Sequence, residues 1–131
     1  MYGQMNMSFI KSFPLSILVT LTVAALSLLP IGRVEVAANV PLADKWTHMV
    51  MYAVLTAVIC WERHRRQNAV SALPLIFAIV YGGVMELLQA YCTTYRSGEW
   101  LDFAADAIGA VLGFLLCLIH RHSCACHRGG N

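Results

Sequence analysis

Charge is what this chain has least of. Only 12% of its 131 residues are Asp, Glu, Lys or Arg, about half of the roughly 25% that a water-soluble domain carries. So few solvating side chains cannot hydrate a domain of 14.4 kDa. No basic stripe accompanies the net charge of +2, which excludes a nucleic-acid binder that works by neutralising phosphates. Catalytic signatures are missing too. No serine-centred triad, phosphate-binding glycine loop, H-E-x-x-H or dinucleotide fingerprint occurs, which removes most recognisable enzyme classes. There is no internal repeat and no low-complexity tract, and no cofactor is expected.

What the chain has instead is apolar sequence in blocks. Apolar residues make up 59% of the whole, and mean hydropathy is +0.64. Four stretches stand out, Phe13 to Leu29, Trp46 to Trp61, Ala69 to Tyr91 and Leu101 to Ile119. About 20 residues in a helix cross a ~30 Å hydrocarbon layer, so the blocks predict an all-α, polytopic membrane protein with a four-helix transmembrane bundle. Barrel strands would alternate apolar and polar residues, and these blocks are continuous. Pro30, Gly32 and Pro41 mark a first loop, Glu62 to Asn68 a second and Thr93 to Trp100 a third. Trp46, Trp61 and Trp100 fall at the boundaries and read as interfacial anchors.

Basic residues set the expected orientation. Lys11, Arg63, Arg65, Arg66, Arg121 and Arg128 lie on one side, against Arg33, Lys45 and Arg96 on the other, which puts both termini in the cytoplasm. A cleaved signal peptide ending near Val36 and Ala38 is the alternative for the first block, and would leave three helices in the same orientation. One membrane domain is expected over residues 1–131, with a short cytoplasmic tail over 120–131. The oligomeric state stays open.

The acids are unevenly placed. Only Glu62 falls on the cytoplasmic side, whereas Glu35, Asp44, Glu86, Glu99, Asp102 and Asp106 gather toward the outer end. Asp44, His48 and Tyr52 recur every four residues and share one helical face, with Lys45 beside it. Gly82, Glu86 and Gln89 share another. Asp102, Asp106, Gly109 and Gly113 share a third, the two glycines having the spacing that lets membrane helices approach closely. At ~1.5 Å per residue, His48, Glu86 and Asp106 occupy one layer. Arg96, in the third loop, is the cation placed to approach them. Ionisable groups inside a membrane are expensive unless paired or wetted, so they are functional candidates.

These residues carry a resemblance. Asp44-Lys45-x-x-His48-x-x-x-Tyr52, Tyr81-Gly82-x-x-x-Glu86-x-x-Gln89, Arg96, and Asp102-x-x-x-Asp106-x-x-Gly109-x-x-x-Gly113 resemble the three signatures of the VanZ-like family of small bacterial membrane proteins, over residues 44–113. One position departs: the family pattern has Asn where this chain has Asp106, an extra carboxyl that could be protonated or could pair with Lys45 or Arg96. The resemblance implies a bacterial inner-membrane protein of the cell envelope, and its namesake is associated with low-level resistance to the glycopeptide teicoplanin.

The reading that follows is a polar outer-leaflet pocket of Asp44, Lys45, His48, Tyr52, Glu86, Gln89, Arg96, Asp102 and Asp106 that recognises an anionic group on a membrane lipid or lipid-linked cell-wall intermediate. An enzymatic alternative makes His48 or Glu86 a base and Arg96 the stabiliser of developing charge at a lipid-linked phosphoester. A structural alternative makes His48, Glu86 and Gln89 interhelical hydrogen-bond partners, Asp102 a helix N-terminal acid, and Gly109 and Gly113 packing residues. Five cysteines imply no disulfide framework, since Cys92 has no outer partner. The tail His120-Arg-His122-Ser-Cys124-Ala-Cys126-His127 has soft ligands but no second Cys pair to close a tetrahedron, so it reads as an exposed tail and no metal site is expected.

Overall fold

A computed structural model describes residues 13–28, 43–67, 71–94 and 100–129, and within them the chain is entirely helical, with no strand. The four helices are α1 (Pro14–Leu28), α2 (Ala43–Gln67), α3 (Leu73–Cys92) and α4 (Trp100–Arg128). Two of them, α3 and the Trp100–His127 part of α4, are long and apolar enough to cross a membrane. The shorter α1, of 15 residues, carries no charged side chain.

Local chemistry explains the starts. Pro14 opens α1 and Pro74 lies in the first turn of α3, where a fixed φ costs nothing and the missing N–H would be unpaired anyway. Asp44 and Asp102 sit in the first turns of α2 and α4, where the helix dipole favours a negative charge. Hydroxyls inside the helices are satisfied locally: Thr20, Thr22, Thr47 and Thr56 each donate to the carbonyl four residues earlier, which removes a polar burden without a partner helix.

Two expected boundaries move. The cluster Glu62 to Asn68, expected as a loop, is the last two turns of α2 as far as Gln67. Glu, Arg and Gln are good helix formers, and His64, Arg65 and Arg66 complement the C-terminal end of the dipole. The tail expected after Ile119 continues as exposed helix to Arg128. The first-loop residues Pro30, Gly32 and Pro41, with Glu35, Glu99 and Arg96, lie outside the described residues.

Packing is led by small residues. An added β-carbon on Gly109 would come 2.9 Å from Met49 Cα and nearer still to its carbonyl oxygen, and one on Gly113 would meet Ala53 in the same way. The glycine face of α4 therefore lies directly on the α2 backbone, as the spacing predicts. Tyr52, Leu55, Val23, Ala78 and Ala110 form the buried core. Large apolar side chains such as Leu21, Val80, Leu87, Leu116 and Ile119 point outward and are exposed. That inverts the pattern of a soluble bundle, whose polar residues cover an apolar interior.

Candidate functional site

The polar faces of three helices meet near the start of α2. His48 is 2% exposed, and Tyr52 and Asp106 are wholly buried. Asp106 Oδ1 stands 2.8 Å from His48 Nδ1, and Glu86 Oε1 stands 3.9 Å from the same nitrogen. With Asp106 ionised, His48 Nδ1 is the donor of this bond, because a carboxylate can only accept. Among the described residues nothing meets His48 Nε2, nor Tyr52 Oη, nor Asp106 Oδ2, although all three are shielded from solvent.

Gly82 is what lets α3 come this close. A β-carbon there would lie 3.1 Å from both Asp106 Cβ and Oδ2, and 3.3 Å from Tyr52 Cε1. At the rim, Lys45 Nζ donates to Asp102 Oδ1 at 2.6 Å, a charge-assisted bond with both groups mostly shielded. Asp44 is exposed beside them.

The expected constellation is therefore assembled in part. His48, Tyr52, Glu86 and Asp106 converge, and Lys45, Asp102 and Asp44 border them. Arg96 lies outside the described residues. The extra carboxyl of Asp106 takes His48 as its partner, not Lys45, because Lys45 reaches Asp102 one turn nearer the helix ends. Gln89 points away from the cluster, and its Nε2 donates to the Ser27 carbonyl at 2.8 Å, near the C-terminal end of α1 where helix carbonyls lack partners.

Two sets of side chains could hold a cation. His48, Glu86 and Asp106 each offer a ligand atom within 4.8 Å of the other two, and so do Asp44, His48 and Asp102. The first set is buried. The second borders the Lys45 ammonium, which is bonded to Asp102.

Sequence reasoning missed how α1 is fastened. Glu62 accepts from the Leu15 amide at 3.1 Å, the Ser16 amide at 2.9 Å and the Ser16 hydroxyl at 2.6 Å. A carboxylate from α2 thus caps the N-terminus of α1, a task usually given to a side chain next to the helix itself. Tyr81 donates from its hydroxyl to the Thr20 carbonyl at 2.8 Å. The only available sign was a lone acid at the end of an otherwise apolar block.

Compared with known proteins, the chain is 29% identical over 85 residues to the uncharacterized protein C11E3.10 of Schizosaccharomyces pombe (strain 972), the match covering 64% of this chain and 52% of that protein. The chain thus spans about half the length of that relative. No protein-family model matches the chain, and no solved structure does.

Proposed function

We propose that the chain is a VanZ-like membrane protein of four membrane-crossing helices with both termini cytoplasmic, and that its polar cluster receives the phosphate-bearing head of a membrane lipid or lipid-linked intermediate from the outer leaflet. The observation that supports a bound group here is a set of atoms without a partner among the described residues, His48 Nε2, Tyr52 Oη and Asp106 Oδ2, gathered from two helices and closed over by Gly82 of a third; Tyr52 Oη and a protonated His48 Nε2 can donate to phosphate oxygens, whereas Asp106 Oδ2 calls for a proton or a cation. A buried polar atom without a partner costs about 1–3 kcal/mol. Three together suit a site completed by a ligand better than they suit hydrogen bonds that only hold helices. Outward-facing leucines and valines and the exposed Trp46, Trp61 and Trp100 favour the membrane setting. The bacterial envelope and glycopeptide tolerance rest on the motif resemblance alone, since the relative found is a yeast protein.

Charge limits how the ligand binds. Asp44, Glu86, Asp102 and Asp106 are acidic and lie beside Lys45 and His48, so added positive charge favours the entry of a phosphate. Arg96, a proton on His48, or a cation between Glu86 and Asp106 would supply it. The Asp106–His48 pair also favours a second reading, because a carboxylate-oriented imidazole with an open Nε2 is arranged to take a proton during hydrolysis or transfer at a phosphoester.

The test is to express His48→Ala and Arg96→Ala in a bacterial host and follow protein accumulation together with teicoplanin tolerance. Tolerance lost at normal accumulation is the expected result. Arg96→Lys refines it, since a bidentate guanidinium contact would be lost and a point charge kept. Accumulation falling in step with tolerance would replace the binding reading with a structural one.

A further inference from the structure

The opposite end of the bundle holds a second polar cluster, of the other sign. Arg63 and His64 from the last turns of α2, Ser71 just before α3, and Arg121 from α4 line a half-open cleft whose enclosed space is about 10 Å³, room for one water, the rest being open to solvent. It lies 15 residues along α2 from His48, about 22 Å at helical rise. None of the residues lining it is acidic. Glu62, the one described acid on this part of α2, is occupied in capping α1.

Four polar atoms of these residues have no partner among the described residues. Arg63 Nε, His64 Nδ1, Ser71 Oγ and Arg121 Nε are all shielded from solvent with no hydrogen-bond partner. A guanidinium has donors only, and a serine hydroxyl can donate, so a group that satisfies this set must be an acceptor with several oxygens. Two fixed positive charges require it to be an anion. The N-terminus of α3 adds to the same preference: Ser71 and Pro74 border the cleft, and the Ala72 N-cap makes no side-chain hydrogen bond to the first turn, leaving the positive end of the helix dipole uncapped.

We propose that this cleft is a phosphate-binding site, with Arg63 and Arg121 clamping the phosphate oxygens and Ser71 and His64 donating to them. Arg supplies the planar fork that phosphate recognition favours. Two sources share this chemistry, a phospholipid head group and a soluble phosphate ester. The lipid is the source to test first, because Arg63 also borders an apolar groove walled by Ile17, Leu21, Ile59 and Phe77, which suits an acyl chain. This site is independent of the acidic cluster and stands if the proposed function fails.

The experiment uses the full chain purified in a neutral detergent, titrated separately with phosphatidylglycerol and with inorganic phosphate, binding being read by native mass spectrometry. Losing two charge-assisted contacts should weaken binding to Arg63→Gln/Arg121→Gln by about tenfold or more. Arg65→Gln/Arg66→Gln is the control: it removes the same charge from the same helix end outside the cleft, and should change binding less than about twofold. Binding of phosphatidylglycerol alone assigns the site to a lipid head group. Binding of inorganic phosphate with the same dependence on Arg63 and Arg121 assigns it to a soluble phosphate ester. Should the double variant fail to fold, Ser71→Ala and His64→Gln carry the same comparison, each expected to weaken binding by about threefold. No binding of either probe overturns the proposal. Equal weakening by the Arg65/Arg66 control overturns it as well, since diffuse attraction to a basic helix end would then suffice.

Discussion

Replacing Gly109 by Ala tests the contact on which the outer cluster depends, and the sign of the result is decisive. In a helix interior Ala is favoured over Gly by about 1 kcal/mol, so without a close neighbour Gly109→Ala should stabilise. With the α2 backbone where it is, the new methyl would lie 2.9 Å from Met49 Cα and closer to its carbonyl oxygen, against 3.4–4 Å for ordinary contact. The neighbour is backbone and cannot rotate away, so α2 and α4 must separate by about 1 Å. Overpacking of this kind costs about 1–3 kcal/mol. The same movement lengthens the His48–Asp106 bond, one turn away and 2.8 Å long, beyond hydrogen-bonding range, at about a further 1–3 kcal/mol for a buried pair. The expected net loss is about 1–5 kcal/mol once the propensity gain is subtracted, read as a lowered melting midpoint of the purified protein in detergent. Gly83→Ala is the internal control, because its β-carbon would meet only Phe103 Cε2 at 3.4 Å and should leave the midpoint unchanged or raise it. A Gly109→Ala protein melting at or above the parent temperature would refute the close α2–α4 approach.

Other outcomes follow from the polar pairs. Glu62→Ala should destabilise by about 2–4 kcal/mol, since it removes a charged acceptor from three donors, whereas Ser16→Ala should cost about 1 kcal/mol. A double-mutant cycle in the same melting assay should return a favourable coupling, and strict additivity would count against the cap. Lys45→Ala should cost more than the Lys45→Ala/Asp102→Ala pair, because the single change leaves the Asp102 carboxylate buried without its cation; a double variant less stable than the single would contradict this. For orientation, a membrane-impermeant thiol reagent on intact cells should label the exposed Cys92 and spare the equally exposed Cys124 and Cys126, and the reverse pattern would invert the topology.

Much of the architecture is legible in the sequence because the signals there are local. Continuous apolar blocks give the helices, four-residue spacing gives their polar faces, and Gly109-x-x-x-Gly113 gives the close contact. Helix ends were less legible, because Glu62 to Gln67 carry charge and good helix propensity together, and hydropathy registers only the first. Partner choice was not legible at all. Spacing along a helix fixes a residue's face and depth, but which neighbouring helix it meets depends on how the helices rotate against one another. That is why Gln89, on the stripe of Glu86, reaches Ser27 of α1 instead of the cluster, and why Asp106 meets His48.

The way polar groups are satisfied separates scaffold from site in this chain. Glu62 with Ser16, Gln89 with Ser27, Tyr81 with Thr20 and Lys45 with Asp102 each tie one helix to another at 2.6–2.8 Å. These are closed pairs, and in an apolar surrounding a closed pair holds helices in register without inviting anything else in. His48 Nε2, Tyr52 Oη and Asp106 Oδ2 at one end, with Arg63 Nε, His64 Nδ1, Ser71 Oγ and Arg121 Nε at the other, have no such partner. The first group adjoins an excess of carboxylates and the second contains only cations and neutral groups. Had the fold needed these residues only for helix pairing, charges of opposite sign at the two ends could have been placed against each other, as Lys45 and Asp102 are. Their segregation about 22 Å apart instead leaves both ends with buried polar atoms that have no partner among the described residues.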